Sequence, residues 1–185
     1  MSKSQRIIIY LLRHDLRLQD NPVFQAISSA HRRNEITHLV PLFVFNPIQY
    51  EISGLLQPGE TSPFAEARSR LGQFWRCGPY RVRFLVESLF DLKASLKDVG
   101  SDLIIRAGET HTVINNMIQG LNKEDCEIKG VWITGDHASE EVVEAATIRR
   151  SLPDGIPLKE FEDESMLITR SEGCHIQEKL ILILL

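Results

Sequence analysis

Two short segments hold most of the residues that could do chemistry. The first, "RHDLRLQDN" from Arg13 to Asn21, sets Arg13, Asp15, Arg17 and Asp20 directly behind the apolar and aromatic run Ile7 to Leu12. The second, "GDHASEE" from Gly135 to Glu141, carries Asp136, His137, Glu140 and Glu141. Arginine forks recognise carboxylate or phosphate. An aspartate such as Asp136 accepts hydrogen bonds from the amino and ring N–H groups of a heterocycle. Each segment also has a purely structural reading. Asp136 could cap its own turn, and Arg13, Asp15 and Arg17 could form an ion-pair network that pins their loop; on physics alone the network is the stronger reading. A metal held by His137 with Glu140 and Glu141 is disfavoured, because adjacent glutamates at a helix start complement the helix dipole. No metal site is therefore expected. The remaining histidines, His14, His31, His38, His111 and His175, form no HExxH pattern, and GxGxxG, GxxxxGK[ST] and GxSxG are all absent.

The elements that must position these segments alternate between strand and helix. Ile7–Leu12, Leu39–Phe45, Leu103–Arg106, Val131–Thr134 and Leu158–Phe161 read as strands. The first two are apolar on both faces, as in a parallel sheet covered on both sides. Between them, "DNPVFQAISSAHRR" has Asp20 or Asn21 as cap and Pro22 at the first helical position. "YRVRFLVESLFDLKASLKDVG" places Phe84, Leu85, Leu89, Leu92, Leu96 and Val99 at helical spacing and stops at Gly100. "ETHTVINNMIQGL" begins at a threonine cap. "ASEEVVEAATIRRSL" reads as a helix capped by Ser139, with Glu140 and Glu141 in the first turn and Arg149 and Arg150 in the last. The alternation predicts a Rossmann-like, doubly wound α/β fold. Ligands of such sheets bind beyond the carboxyl ends of the strands, where strand order reverses. In the five-strand order 3-2-1-4-5 that point lies between the first and fourth strands, so both charged segments face one crevice. The connection from Asn46 to Pro79 is far longer than usual, with a short helical pattern at Phe64–Phe74.

At 185 residues, with 43% hydrophobic and 25% charged residues, the chain has the length and composition of one globular domain. A net charge of −4 excludes a surface that binds polyanions wholesale. Cys77, Cys126 and Cys174, odd in number and without CxxC spacing, argue for a reducing intracellular compartment. The N-terminus lacks a signal-peptide cleavage site, and no run of apolar residues is long enough to span a bilayer. On this reading the mature protein starts here and does not enter a membrane.

"LLRHDLRLQDNPVF" resembles the start of the DNA photolyase/cryptochrome family, whose first strand runs into R-x-D-L-R-x-x-D-N. "CGPYRVRFLVESLFDLKASLKDVGSDLIIR" is similar to the K-x-G-x-x-R-x-x-F-L-x-E-S-x-x-D-L segment of DASH-type cryptochromes. "FEDESMLI" resembles the W-x-D-E-x-x-x-I stretch that ends the family's first domain. The resemblance runs from about Arg6 to Arg170 and implies an α/β antenna domain, residues 1–170, with strand order 3-2-1-4-5. In the family this domain packs on a helical domain that binds FAD and takes up DNA. The resemblance thus implies that FAD and DNA contacts belong to a domain absent from these 185 residues, and Ser171 to Leu185 reads as a divergent apolar tail.

The resemblance further implies a folate antenna, methenyltetrahydrofolate, that passes excitation energy to the flavin; its activity context is blue-light-driven repair of pyrimidine dimers or photoreception. Asp136 matches the acidic pterin contact, one methylene shorter than the glutamate many members carry, and Glu140 is a second candidate. The folate site would be partial, since its other contacts come from the helical domain. Relatives with deazaflavin or FMN antennas bind them inside the α/β domain, near the segment of Asp15 and Arg17. Arg13, Asp15 and Arg17 are thus expected to knit the switch-point loop and shape the antenna crevice, and no residue is expected to be catalytic. The alternative is a non-enzymatic module that takes a nucleotide-like ligand or docks on a full-length relative.

Overall fold

The structure, a computed structural model, describes residues 5–51, 57–69, 71–122, 126–136 and 138–163. Five parallel strands, β1 (Gln5–Leu12), β2 (His38–Phe45), β3 (Ile104–Ala107), β4 (Cys126–Thr134) and β5 (Leu158–Phe161), form one sheet of order β3-β2-β1-β4-β5. This is the doubly wound order expected from the sequence. Helices α1 (Pro22–Arg32), α2 (Pro79–Asp98), α3 (Thr110–Asn122) and α4 (Ser139–Ser151) connect the strands. Period-two alternation divides the central strand between two cores. Ile8, Tyr10 and Leu12 pack with Val23 and Ile27 of α1 and with Leu89, Leu92 and Leu96 of α2. Ile9 and Leu11 pack with Ile114 and Ile118 of α3 and with Ile148 of α4. Central β1 is buried from Ile7 to Leu12, which accounts for its unbroken apolar run.

Local chemistry sets the element ends. Asn21 caps α1: its side-chain oxygen accepts the Val23 and Phe24 amides at 3.0 and 3.1 Å. Asp20 precedes it in the left-handed region, φ 51°. Helix α2 stops as its spacing predicts, with Gly100 at φ 79° just beyond the last turn.

Four expectations are corrected. Phe84 and Val99 do not lie on the core face of α2; they are exposed, because the helix buries only its Leu89, Leu92 and Leu96 stripe. Strand β4 begins at Cys126, five residues before the apolar run. Exposed Glu127 and Lys129 hide its first half from a hydrophobicity reading, and a bulge there moves the pairing from Ile7–Ile128 to Ile8–Gly130. Ser139 does not cap α4. Ala138 occupies that position, with its amide bonded by Asp136 Oδ1 at 3.0 Å. The pattern at Phe64–Phe74 forms no helix among its described residues. Gly72 and Gln73 take positive φ, and an antiparallel bridge joins Arg68 to Trp75, whose ring lies 3.8 Å from the Arg68 guanidinium. Residues 164–185, with the tail from Ser171, lie outside the described residues, as does His137. Among the described residues no helix is long and apolar enough to cross a membrane.

Candidate functional site

The order of the sheet sets β1 beside β4, so the loops after them meet at the carboxyl edge. Asp15 turns inward and is 5% exposed. Its Oδ2 accepts hydrogen bonds from the Tyr10 and Thr134 hydroxyls, and its Oδ1 accepts the Arg13 amide at 3.0 Å. Asn21 Nδ2 donates to the Tyr10 oxygen at 2.8 Å, which joins this cluster to the α1 cap. Burial and then the Asp15 charge push the Tyr10 phenol well above its ordinary pKa. Arg13 reaches across to β4 and α4, where its guanidinium donates to the Thr134 carbonyl, donates to the Glu141 carbonyl at 3.3 Å, and lies 3.8 Å from Glu144. Arg17 donates to Asp163, beyond β5, at 2.8 Å and to the Asp20 carbonyl at 3.0 Å. The Asp163 bond is the main cause that raises its pKa. Arg13, Asp15 and Arg17 therefore bond three strand ends and one helix cap to one another. Their polar groups are spent on the protein.

The second loop is different. Asp136 is half-buried, and its described hydrogen bond is the one from Ala138 to Oδ1. Glu140 is held in an ion pair with Arg76 of the long insertion. Of the metal grouping considered from sequence, His137 lies outside the described residues; among the described residues a different set converges. His14 Nε2 lies 3.3 Å from Glu141 Oε1, and one ligand atom each of His14, Asp136 and Glu141 lie within 4.8 Å of one another.

The insertion, expected from sequence to carry a short helix, instead walls a cavity of about 760 Å³ on the α3–α4 side of the sheet. Its floor is polar. Thr110 donates to Glu144 Oε1 at 2.6 Å, and Asn46 Nδ2 donates to the same oxygen at 3.1 Å. Its walls include Leu71, Phe74 and Val143, all exposed, and Arg76 and Glu140 stand at its lining. A polar floor under apolar walls at this volume is the usual form of a small-molecule site. The sequence signal was the apolar content of a segment too long to be a simple turn.

Comparison with known proteins agrees with the fold. The DNA photolyase family model matches residues 8–172. A mitochondrial cryptochrome DASH of Neurospora crassa is 40% identical over 164 residues, 88% of this chain and 22% of its own length. Cryptochrome DASH of Xenopus laevis is 32% identical over 162 residues, 87% of this chain and 26% of its own length. The chain thus spans about a quarter of the length of these relatives. Among solved structures, an archaeal photolyase from Sulfolobus tokodaii, described with two FAD molecules and the implication of a novel light-harvesting cofactor, superposes with a TM-score of 0.63 at 21% identity. The match covers 91% of this chain and 32% of that one, and it bears on the fold alone. With its sheet order, its β1 loop and the family model all in agreement, the chain belongs to the DNA photolyase/cryptochrome family and is cryptochrome DASH-like.

Proposed function

We propose that residues 1–170 form the light-harvesting antenna domain of a DASH-type photolyase/cryptochrome, and that Asp136 is its contact to a folate pterin. The observation that carries this reading is the state of Asp136: a half-buried carboxylate at the strand-order switch point, with Oδ1 held by one amide. That anchoring leaves Oδ2 to accept from the amino and ring N–H groups of a pterin, so the residue present fits the group. When bound, methenyltetrahydrofolate supplies near-ultraviolet and blue absorption and passes the excitation on. Asp136 orients the ring, and Arg13 fixes the loops on either side by its bonds to Thr134 and Glu141. Arg13, Asp15 and Arg17 act as framework, and Glu140, tied to Arg76, is a weaker contact. Blue-light repair or photoreception through FAD, and contact with DNA, are proposed for the full-length protein that includes this domain. None of the residues discussed is assigned to FAD.

The test is absorbance. Added methenyltetrahydrofolate should give a protein-bound band after gel filtration, and Asp136→Ala should abolish it without unfolding the domain. An unchanged band in Asp136→Ala would remove the assignment.

A second reading is favoured by the 760 Å³ cavity, whose polar floor and apolar walls lie wholly within this chain. A flavin- or nucleotide-like ligand would bind there without a second domain. Retention of FMN or of a nucleotide, together with no folate band, supports this reading over the first.

A further inference from the structure

Beyond the pterin contact, the switch point holds a set of donors that the framework does not use. We propose that His14, Asp136 and Glu141 form a binding site for a divalent first-row transition metal, with zinc as its representative ion. The three residues come from separate elements: the loop after β1, the loop after β4 and the first turn of α4. Their ligand atoms nonetheless lie within 4.8 Å of one another, with His14 Nε2 3.3 Å from Glu141 Oε1. One imidazole nitrogen and two carboxylates are the donor types that zinc, manganese and iron accept.

The surrounding charges favour a cation. The Arg13 guanidinium, which reaches the Glu141 backbone, has its nitrogens engaged with the Thr134 and Glu141 carbonyls and facing the Glu144 carboxylate. Arg76 is paired with Glu140, and Arg17 with Asp163. No lysine or arginine among the described residues forms an ion pair with Asp136 or with the Glu141 carboxylate. Two carboxylates this close repel each other, and the dipole of α4 offsets only part of that repulsion. A dication neutralises both and uses the His14 nitrogen as its third ligand. The Glu141 side chain is 13% exposed and that of His14 44%, so the ion would sit against the protein on one side and keep water on the other.

His14 is also the position in the loop that the framework bonds do not use; its one described contact is with Glu141. Arg13 and Asp15 turn inward to the framework described above, and His14 between them points out toward α4. The side chain at residue 14 can change without disturbing those bonds, which makes it the cleanest probe of the site.

The experiment is calorimetric titration of the chelator-treated 185-residue chain with zinc chloride. One equivalent should bind in the wild type, and His14→Asn and Glu141→Gln should each weaken it by about tenfold or more, with thermal melts unchanged. Cobalt(II) in place of zinc should give a visible spectrum without thiolate charge transfer, which separates this site from one built on Cys77, Cys126 or Cys174. Absence of zinc binding by the wild type, unaltered binding in His14→Asn, or a thiolate band with cobalt would each overturn the proposal. Because Asp136 is shared, the two readings of the crevice fail differently. His14→Asn should lose zinc and keep folate, and Asp136→Ala should lose both. A chain that binds zinc through His14 but no folate leaves the metal site standing and removes only the expectation that Asp136 holds folate without the helical domain.

Discussion

Replacing Asp15 with alanine tests whether the charged loop after β1 is framework or binding surface. The side chain is 5% exposed and accepts three hydrogen bonds, from the Tyr10 hydroxyl, the Thr134 hydroxyl and the Arg13 amide. In Asp15→Ala the Thr134 hydroxyl, itself buried, loses that acceptor. An unsatisfied buried group of this kind costs about 1–3 kcal/mol. Tyr10 suffers less, because its hydroxyl can still donate to Asn21 Oδ1, at 3.3 Å; roughly 1 kcal/mol is reasonable there. The Arg13 amide also loses its acceptor, at about 1 kcal/mol, and relief of a buried charge offsets about as much, which leaves a net loss of about 2–4 kcal/mol. For a chain of this size each kcal/mol moves the melting temperature by roughly 2–4 °C, so the shift should be on the order of 5–15 °C. Urea unfolding of wild type, Asp15→Ala, Tyr10→Phe and the double variant measures it directly. The two single losses should be sub-additive by about 1–2 kcal/mol, since both remove the same bond. A loss under about 1 kcal/mol, with additive singles, would refute the framework argument.

Two further outcomes follow from the same geometry. The Tyr10 phenol is held neutral in the fold by burial and by Asp15, so its folded pKa lies above the unfolded value of 10.0. Its contribution is complete below pH 10 and is lost as pH rises, because the unfolded chain ionises first. Stability should therefore fall above pH 10 by about 1.4 kcal/mol per pH unit from this group, and Tyr10→Phe should remove that slope; an identical slope in the variant refutes it. Gly130→Ala, at the β4 bulge, would bring a Cβ to 2.9 Å from the Pro157 carbonyl oxygen, which is backbone and accepts the Val131 amide. Thermal unfolding should register a loss of about 1–3 kcal/mol, and a neutral result would show that β5 can shift away at no cost.

What the sequence revealed follows from how each residue is used. β1 and β2 were legible because a strand buried on both faces leaves an unbroken apolar run, and the strand order followed from the alternation and the resemblance. The first half of β4 was not, since Glu127, Lys129 and Gly130 interrupt the apolar pattern at a bulge. The false helix at Phe64–Phe74 arose because Leu71 and Phe74 are apolar at helical spacing, while Gly72 and Gln73 between them adopt positive φ and Leu71 and Phe74 point outward to wall a cavity. Pattern alone cannot separate an apolar residue facing a core from one facing a pocket.

The charged loop shows the same limit at finer scale. Sequence placed Arg13, Asp15 and Arg17 at the switch point without saying which of them face solvent. In the structure the alternation of β1 continues past its end: Asp15 is buried, Arg13 is mostly covered, and His14 between them is exposed. The inward pair joins β1 to β4, and that junction is what carries His14 to within reach of residues more than 120 positions away. Framework and candidate site are thus consecutive residues on opposite faces of one short loop. Substitutions of Asp15 should therefore be read as stability and those of His14 as binding. If both moved stability alone, the crevice would have no ligand that depends on this loop.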